Sequence, residues 1–121
     1  MKLKKIEGDF SVCKIEDITQ VNFNDEFCFF ARTDDEISLV CKTQNVPDNV
    51  IVREDNWSAF RIEGVLDFSL IGVLAKISEI LAENSIGIFV VSTYNTDYIM
   101  VKNENFDRAM EVLREKGYQI L

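Results

Sequence analysis

Two glycines, Gly64 and Gly72, frame the segment whose residue types and spacing best suit ligand chemistry. A strand-like stretch ends at Gly64, and the spacing of apolar residues predicts a helix that begins near Ser69. Backbone N–H groups are unpaired at a helix start, and the helix dipole makes that end partly positive. A glycine-bearing loop between a strand and a helix start therefore predicts a seat for a carboxylate or a phosphate.

Two aspartates near this segment each admit two interpretations. Asp67 could contact a ligand, but it competes with Ser69 as the helix N-cap, and we favour the capping role. Asp97 follows a turn between two predicted strands, where aspartate is common for conformational reasons alone. Both an ordinary turn residue and a ligand contact stay open for Asp97.

Residue types that perform catalysis are poorly represented in this chain. The sequence has no histidine, no G-x-S-x-G, no P-loop and no dinucleotide-binding fingerprint. Serine or cysteine nucleophiles would lack the obvious base that activates them. We therefore expect a protein that is not an enzyme and that carries no cofactor.

Metal-ligating residues do not form a recognisable set either. Cys13, Cys28 and Cys41 are far apart in the chain, and no histidine completes a zinc site. We expect reduced, buried thiols that act as small hydrophobic groups in a reducing cytoplasm. Asp34, Asp35 and Glu36 could suggest a cation site, but neighbouring carboxylates in a turn are usually solvated and calcium needs more ligands. No metal is predicted.

Composition indicates a packed globule of one compact domain, or two very small ones that share a core. The chain has 121 residues, of which 47% are hydrophobic, and a single proline. Its net charge of −8 disfavours nucleic acid and anionic membranes as partners, since both would repel it. The basic amino-terminal residues lack the apolar stretch of a signal peptide, and no apolar run approaches the ~18 residues of a membrane span.

Periodicity predicts an α+β protein. In the first half, the strand-like runs are residues 10–15, 27–32, 37–42 and 50–52. From Trp57 onward the order is β-α-β-β-α-β: strand 57–62, helix 69–84, strands 86–93 and 97–101, a helix capped by Asn103 or Asn105 and stopped by Gly117, and strand 118–121. That order is typical of a ferredoxin-like fold, an antiparallel sheet with two helices on one face.

The first half shows the same four strands with both helices shortened to a turn, which indicates a degenerate copy of the same unit. We therefore predict two tandem units, residues 1–55 and 56–121. The strand at residues 88–91 is apolar on both faces, so the sheet face without helices should be covered by the first half or by a second subunit. A homodimer is the expected assembly.

Three stretches of the second half, residues 57–64, 71–78 and 86–101, resemble an ACT domain. Specifically, the chain is similar to small bacterial tandem-ACT proteins whose repeats resemble those of the CASTOR arginine sensors of animals. Residues 92–98 are the most specific piece of the resemblance, and residues 35–40 carry it in the first half.

This resemblance implies regulatory binding of an amino acid, or a similar small molecule, at an interface between ACT units. The 64–72 loop would hold the backbone groups of the amino acid, with the 93–97 turn as the opposite wall. Asp97 would then suit an ammonium or guanidinium group, so a zwitterion fits better than a phosphate. The implied ligand-binding residues are Ser38, Leu39, Gly64, Val65, Leu66, Phe68, Ser69, Ile71, Gly72, Thr93, Tyr94 and Asp97.

A second interpretation belongs to a different functional class. Residues 65–71 contain no glycine, whereas the arginine sensors have a longer and more glycine-rich loop. Arginine specificity is therefore not expected to transfer. The alternative is an ACT-fold dimerisation or protein-interaction module that has no ligand.

Overall fold

The structure is a computed structural model, and it describes residues 1–64 and 71–121. Its helices and strands are, in chain order, β1 (Lys2–Ile15), β2 (Cys28–Arg32), β3 (Ile37–Lys42), β4 (Val50–Ile62), α1 (Val73–Glu83), β5 (Phe89–Ser92), β6 (Asp97–Lys102), α2 (Phe106–Glu115) and β7 (Gln119–Ile120). Short 3₁₀ turns, Thr43–Asn45 and Asn103–Asn105, come directly after β3 and β6. The predicted α+β class is confirmed.

Contacts divide the chain into two compact units. The first unit is Gly8–Trp57, and the second unit is Met1–Glu7 together with Ser58–Leu121. Strands β1 and β4 each contribute residues to both units because they run through the division. The predicted ACT-like domains, 1–55 and 56–121, divide the chain by structural repeat, whereas these units divide it by contacts. The repeat therefore stays a prediction.

The second unit consists of one sheet layer and one helix layer. Its strands have the order β5-β6-β4-β1, and β7 pairs in parallel with the start of β1. Both chain ends take part, since the N–H of Leu121 donates to the carbonyl of Leu3 at 2.7 Å. Helices α1 and α2 pack on the sheet and enclose a core of Leu3, Phe60, Ile62, Ile77, Leu81, Ile86, Ile99, Val101, Ala109, Met110 and Leu113.

The sheet of the second unit is apolar on both faces, as the sequence predicts. Ile99 and Val101 lie in the helix-covered core, and the residue between them, Met100, is also fully buried. Ala59, which precedes the core residue Phe60 on β4, is buried in the same way. Alternation along a strand sends such neighbours to opposite faces.

The first unit, all of whose residues are described, consists of strands in the order β2-β3-β1-β4 without an α-helix. Its core contains Cys13, Ile15, Leu39 and Cys41. Val46 is extended, with φ −63° and ψ 125°, as expected for a residue that precedes proline. Pro47 therefore ends the 3₁₀ turn, and the chain passes directly into β4.

Four predicted boundaries are wrong, and one of them is the start of the strand predicted at residues 86–93, since β5 begins at Phe89. Strand β1 begins at Lys2 rather than at Phe10, because the alternation on which the prediction depended fails where Lys4 and Lys5 are both exposed. β4 is one strand rather than two, with Asn56 in the left-handed region at φ +70°. Helix α1 begins at Val73 rather than near Ser69, because Gly72 has φ +82°, which a right-handed helix cannot contain. Over residues 1–64 and 71–121, no helix is long and apolar enough to cross a membrane.

Candidate functional site

The β5–β6 turn is closed by hydrogen bonds between Thr93 and Thr96. The backbone N–H and the hydroxyl of Thr93 each donate to the Thr96 carbonyl, both at 2.9 Å. The N–H of Thr96 donates back to the Thr93 hydroxyl at 3.4 Å. A threonine hydroxyl that bonds the backbone in this way holds a turn in a fixed conformation.

This turn is also tied to the end of β4. The Thr96 hydroxyl donates to the Ile62 carbonyl at 2.8 Å, and Thr96 is only 6% exposed. A neutral hydrogen bond of this kind contributes about 0.5–1.5 kcal/mol net. Ile62 is two residues before Gly64, so the bond brings one predicted wall of the ligand site close to the glycine that begins the other.

Asp97 lies at the start of β6, opposite Ser92 in the β5–β6 ladder. Its carboxylate accepts a hydrogen bond from the Ser92 hydroxyl at 2.5 Å, and the residue is half-buried. That bond orients the carboxylate at the strand end. Tyr94, at the tip of the turn, is 78% exposed. The turn thus presents one oriented acid and one exposed aromatic ring.

An arginine that the sequence did not single out lies on the neighbouring strand. The Nε of Arg61 donates to Glu63 at 3.2 Å, its Nη1 donates to the Tyr98 hydroxyl at 3.2 Å, and its guanidinium lies 5.9 Å from the Tyr98 ring. Hydrogen bonds to the Tyr98 hydroxyl, and then to Glu63, raise the pKa of Arg61. Its alternation with the buried Phe60 and Ile62 is the only sequence signal for this position.

The glycines that frame the predicted loop both have positive φ. Gly64 is at +95° and Gly72 at +82°, and a Cβ on either would meet no atom of residues 1–64 and 71–121 within 4 Å. Gly72 precedes α1, whose first hydrogen bond runs from the Lys76 N–H to the Gly72 carbonyl at 3.0 Å. The N–H groups before that bond belong to residues 73–75, so the described helix start lies beyond the predicted anion seat around Phe68 and Ile71. Val65, Leu66, Phe68 and Ser69, together with Asp67, lie outside the described residues.

A cavity of about 460 Å³ opens beside the start of α1, within the size range of ligand pockets. Of the predicted site residues, Ile71, which is 95% exposed, and Gly72 line it, whereas Thr93, Tyr94 and Asp97 do not. The described lining residues are Met1, Ile71, Gly72, Val73, Lys76, Glu79, Ile80, Lys116, Gly117 and Tyr118. The described predicted residues of the second unit therefore fall in three places, with Ile71 and Gly72 at the cavity, Thr93, Tyr94 and Asp97 at the β5–β6 turn, and Gly64 after the end of β4.

The two predicted site residues of the first unit lie on β3. Ser38 is half-buried, whereas the Leu39 side chain is 1% exposed and packs in the first-unit core. The acidic residues Asp34, Asp35 and Glu36 are exposed, as expected for solvated carboxylates in a turn. Within the part of the chain that the structure describes, no group of three potential metal ligands comes together.

The cysteines and one polar cluster complete the first unit. Cys13 and Cys41 are buried, as predicted, whereas Cys28 is only partly buried. The Cys41 thiol donates to the sulfur of Cys13, which lowers the pKa of Cys13 and raises that of Cys41. Separately, the buried Ser11 hydroxyl donates to Asp55 at 2.5 Å, a long-range bond that the sequence did not suggest.

Comparisons with known proteins identify the family. A model of the ACT domain matches residues 52–115, more than half of the chain. The chain is 31% identical to protein Atu0741 from Agobacterium tumefaciens, with a TM-score of 0.88 over 99% of this chain and 91% of that one. The chain belongs to the ACT domain family. ACT domains are regulatory and often bind amino acids.

Two amino-acid kinases show the same fold at lower identity. The aspartokinase alpha and beta subunit structure is 15% identical, with a TM-score of 0.64 over 95% of this chain and 96% of that one. The allosteric aspartate kinase of Clostridium acetobutylicum is 17% identical, with a TM-score of 0.61, and the match covers 91% of this chain but 32% of the kinase. The matched family is a regulatory one rather than a catalytic one.

Proposed function

We propose that this protein is a regulatory sensor of an amino acid or a similar small zwitterion. The observation that carries the proposal is the buried bond from the Thr96 hydroxyl to the Ile62 carbonyl, at 2.8 Å. It holds the 93–97 turn beside the strand end that leads to Gly64. The Asp97 carboxylate at this turn and the helix start after Gly72, which lines the separate cavity, are the two groups that suit the opposite charges of an amino acid.

The charges of the second unit support a zwitterion over a phosphate. Asp97, oriented by Ser92, would accept a charge-assisted hydrogen bond from an ammonium group. The start of α1 after Gly72 would favour a carboxylate by about 0.3–1 kcal/mol when exposed. Ser38 and Leu39 on β3, and the loop residues Val65, Leu66, Phe68 and Ser69, stay candidates for further contacts.

We also propose that the chain contains two ACT-like units, the first of them degenerate. The strand order β4-β1-β3-β2 of the first unit is the order of a ferredoxin-like sheet, in which the last strand lies beside the first. The resemblance to the tandem-ACT relatives of the CASTOR sensors, which the sequence carries mainly at residues 92–98 and 35–40, agrees with this arrangement. A homodimer, in a reducing cytoplasm that suits the free thiols, is the expected form.

A thermal-shift screen of the twenty amino acids tests the sensor proposal. A ligand held at a hundred times its Kd should stabilise the protein by ~2.7 kcal/mol and raise Tm accordingly. Asp97→Asn should reduce the shift, because it removes the charge that pairs with the ammonium group. Asp34→Asn is the matched control, since it removes one exposed acid from the corresponding turn of the first unit and should leave the shift unchanged.

The alternative function, an ACT-fold dimerisation or interaction module without a ligand, is favoured by the glycine-free 65–71 segment. It predicts no thermal shift with any amino acid and a stable dimer in sedimentation equilibrium. A shift that Asp97→Asn leaves intact would keep the sensor and refute the role of Asp97.

A further inference from the structure

All three cysteines of the chain lie in the first unit, and two of them face each other across neighbouring strands. Cys28 on β2 and Cys41 on β3 are register partners in the antiparallel ladder. Cys13 on β1 is two residues from Ser11, which is the β1 partner of Cys41. All three thiols belong to the first-unit core or pack against it.

The turn between β2 and β3 determines how closely Cys28 and Cys41 approach. The Thr33 N–H donates to the Glu36 carbonyl at 3.0 Å, so Thr33 and Glu36 form a hydrogen-bonded pair. Hydrogen-bonded and non-hydrogen-bonded pairs alternate along an antiparallel ladder. Cys28 and Cys41 are five pairs further along, which makes them a non-hydrogen-bonded pair.

Such a pair has the separation that a disulfide needs. The Cα atoms of a non-hydrogen-bonded pair are about 4.5 Å apart, and their side chains are closer than at the other pairs. Disulfides bridge Cα atoms that are about 4.4–6.8 Å apart. Cys28 and Cys41 can therefore be joined without a change in the register of the hairpin.

Exposure gives the two sulfurs different roles. Cys28 is only partly buried and can meet a reagent from solvent, whereas Cys41 is 3% exposed. Burial, and then the nearby Asp25, raise the pKa of Cys28, which keeps it a thiol at rest. Only the thiolate fraction reacts, so oxidation should be slow with weak oxidants.

We propose that Cys28 and Cys41 are an oxidation-sensitive pair that forms an intramolecular disulfide with a hydroperoxide. The Cys28 thiolate attacks the peroxide, the O–O bond breaks, and a sulfenic acid forms with release of hydroxide. The Cys41 thiol then attacks that sulfur, the S–O bond breaks, and water leaves as the S–S bond forms. In sum, two thiols are oxidised and one hydroperoxide is reduced.

The test is peroxide treatment of the folded, full chain, then alkylation of the remaining thiols under denaturing conditions and mass spectrometry. The expected product has lost two of its three thiols and the mass of two hydrogen atoms, and a proteolytic fragment links Cys28 to Cys41. Dithiothreitol should restore all three thiols. The product with an intramolecular disulfide should also unfold at a higher temperature than the reduced protein.

Matched variants separate this pair from other oxidation products. Cys13→Ser should still lose two thiols, whereas Cys28→Ser, at a partly buried position that tolerates the change, should lose none by intramolecular linkage. Circular dichroism checks that each variant is folded. The proposal is overturned if the product carries a Cys13–Cys41 link or a disulfide only between chains. It is also overturned if all three thiols stay free under conditions that oxidise a model hairpin peptide with the same cysteine pair.

Discussion

The two hairpins β2–β3 and β5–β6 have the same strand register, and equivalent residues are sixty positions apart in the sequence. Phe29 pairs with Val40 in one, and Phe89 pairs with Met100 in the other. Each turn is closed by a threonine, Thr33 or Thr93, whose N–H donates to the carbonyl three residues later. Equal register, equal turn chemistry and a 3₁₀ turn at the same place indicate one structural plan used twice.

The chain takes a different course after each hairpin. After the second 3₁₀ turn it continues into α2, whereas Pro47 occupies the position that corresponds to Asp107 of that helix. The residue before a proline is driven to an extended conformation, and Val46 is extended. One residue thus accounts for the absence of a helix directly after the 3₁₀ turn of the first unit.

The hairpins also differ at the fourth turn residue. Thr96 is buried and anchored to β4, whereas its counterpart Glu36 is exposed. The second turn therefore has a fixed place beside the strand end, and the first faces solvent. The hairpin supplies the scaffold in both units, while one buried hydroxyl makes the second hairpin end a candidate wall for a ligand.

Truncation of the matched core residues Leu39 and Ile99, which are sixty residues apart and both buried, should cost the most stability. Replacement of a buried leucine or isoleucine by alanine costs about 2–5 kcal/mol. Ile99→Ala should fall at the upper end because two helices hold its surroundings in place. Leu39→Ala should fall at the lower end, because a loop can collapse into the space. Urea denaturation measures both, and an equal loss would contradict the contrast between the units.

The anchored turn should show the next largest loss. Thr96→Val removes the hydroxyl and leaves the Ile62 carbonyl buried without its donor, which should cost about 1–3 kcal/mol. Thr96→Ser keeps the hydroxyl and should recover most of the loss. Glu36→Gln at the exposed counterpart should change stability by less than ~0.5 kcal/mol. If Thr96→Val unfolds at the same urea concentration as the wild type, the anchor has no energetic role.

A smaller change is expected at the glycine before α1. Gly72→Ala should cost about 1–2 kcal/mol through its left-handed backbone, since a Cβ there meets no atom of the described residues within 4 Å. Gly87 has equal space but no positive φ, so Gly87→Ala is the control and should be neutral or slightly stabilising. Thermal unfolding compares the two, and equal Tm values would show that the conformation of Gly72 carries no cost.

The smallest effect on stability is expected at Asp17, in the loop that joins β1 to β2. Hydrogen bonds from the Thr19 hydroxyl, then from its N–H, hold the pKa of Asp17 below its ordinary value of 3.8. A depressed folded-state pKa means that this contribution is present above the ordinary value and is lost as pH falls through the folded value. Acid titration of Tm should show a slightly shallower decline in Asp17→Asn than in the wild type. Identical declines would remove Asp17 from the account of acid stability.

Sequence patterns predicted the elements that depend on local spacing. Ile77 and Leu81 mark α1, and Ala109, Met110 and Leu113 mark α2, because a buried helix face repeats every three to four residues. The start of α1 was missed since the φ of Gly72 is a backbone property that its residue type permits but does not require. The amino-terminal part of β1 was missed because the alternation of buried residues changes phase between Leu3 and Ile6.

The candidate site was less predictable than the fold. Asp97 and Thr93 are proposed through a family resemblance and stay a prediction. Thr96, which anchors the turn, has a partner 34 residues earlier that only the adjacent strands bring near. The Cys28–Cys41 pair could have been found from sequence, because a two-residue turn at Asp34 and Asp35 fixes the register of the hairpin.

The parallel pairing of β1 with β7 bears on the order in which the chain folds. Lys2 is the register partner of Gln119, so this contact closes a loop of nearly the whole chain. Loop closure of that length is entropically costly, and non-local pairing slows folding. Contacts of the first unit, by contrast, all lie within fifty residues of sequence. We therefore expect the first unit to form early during synthesis. The second unit should be completed later, when β7 pairs with β1.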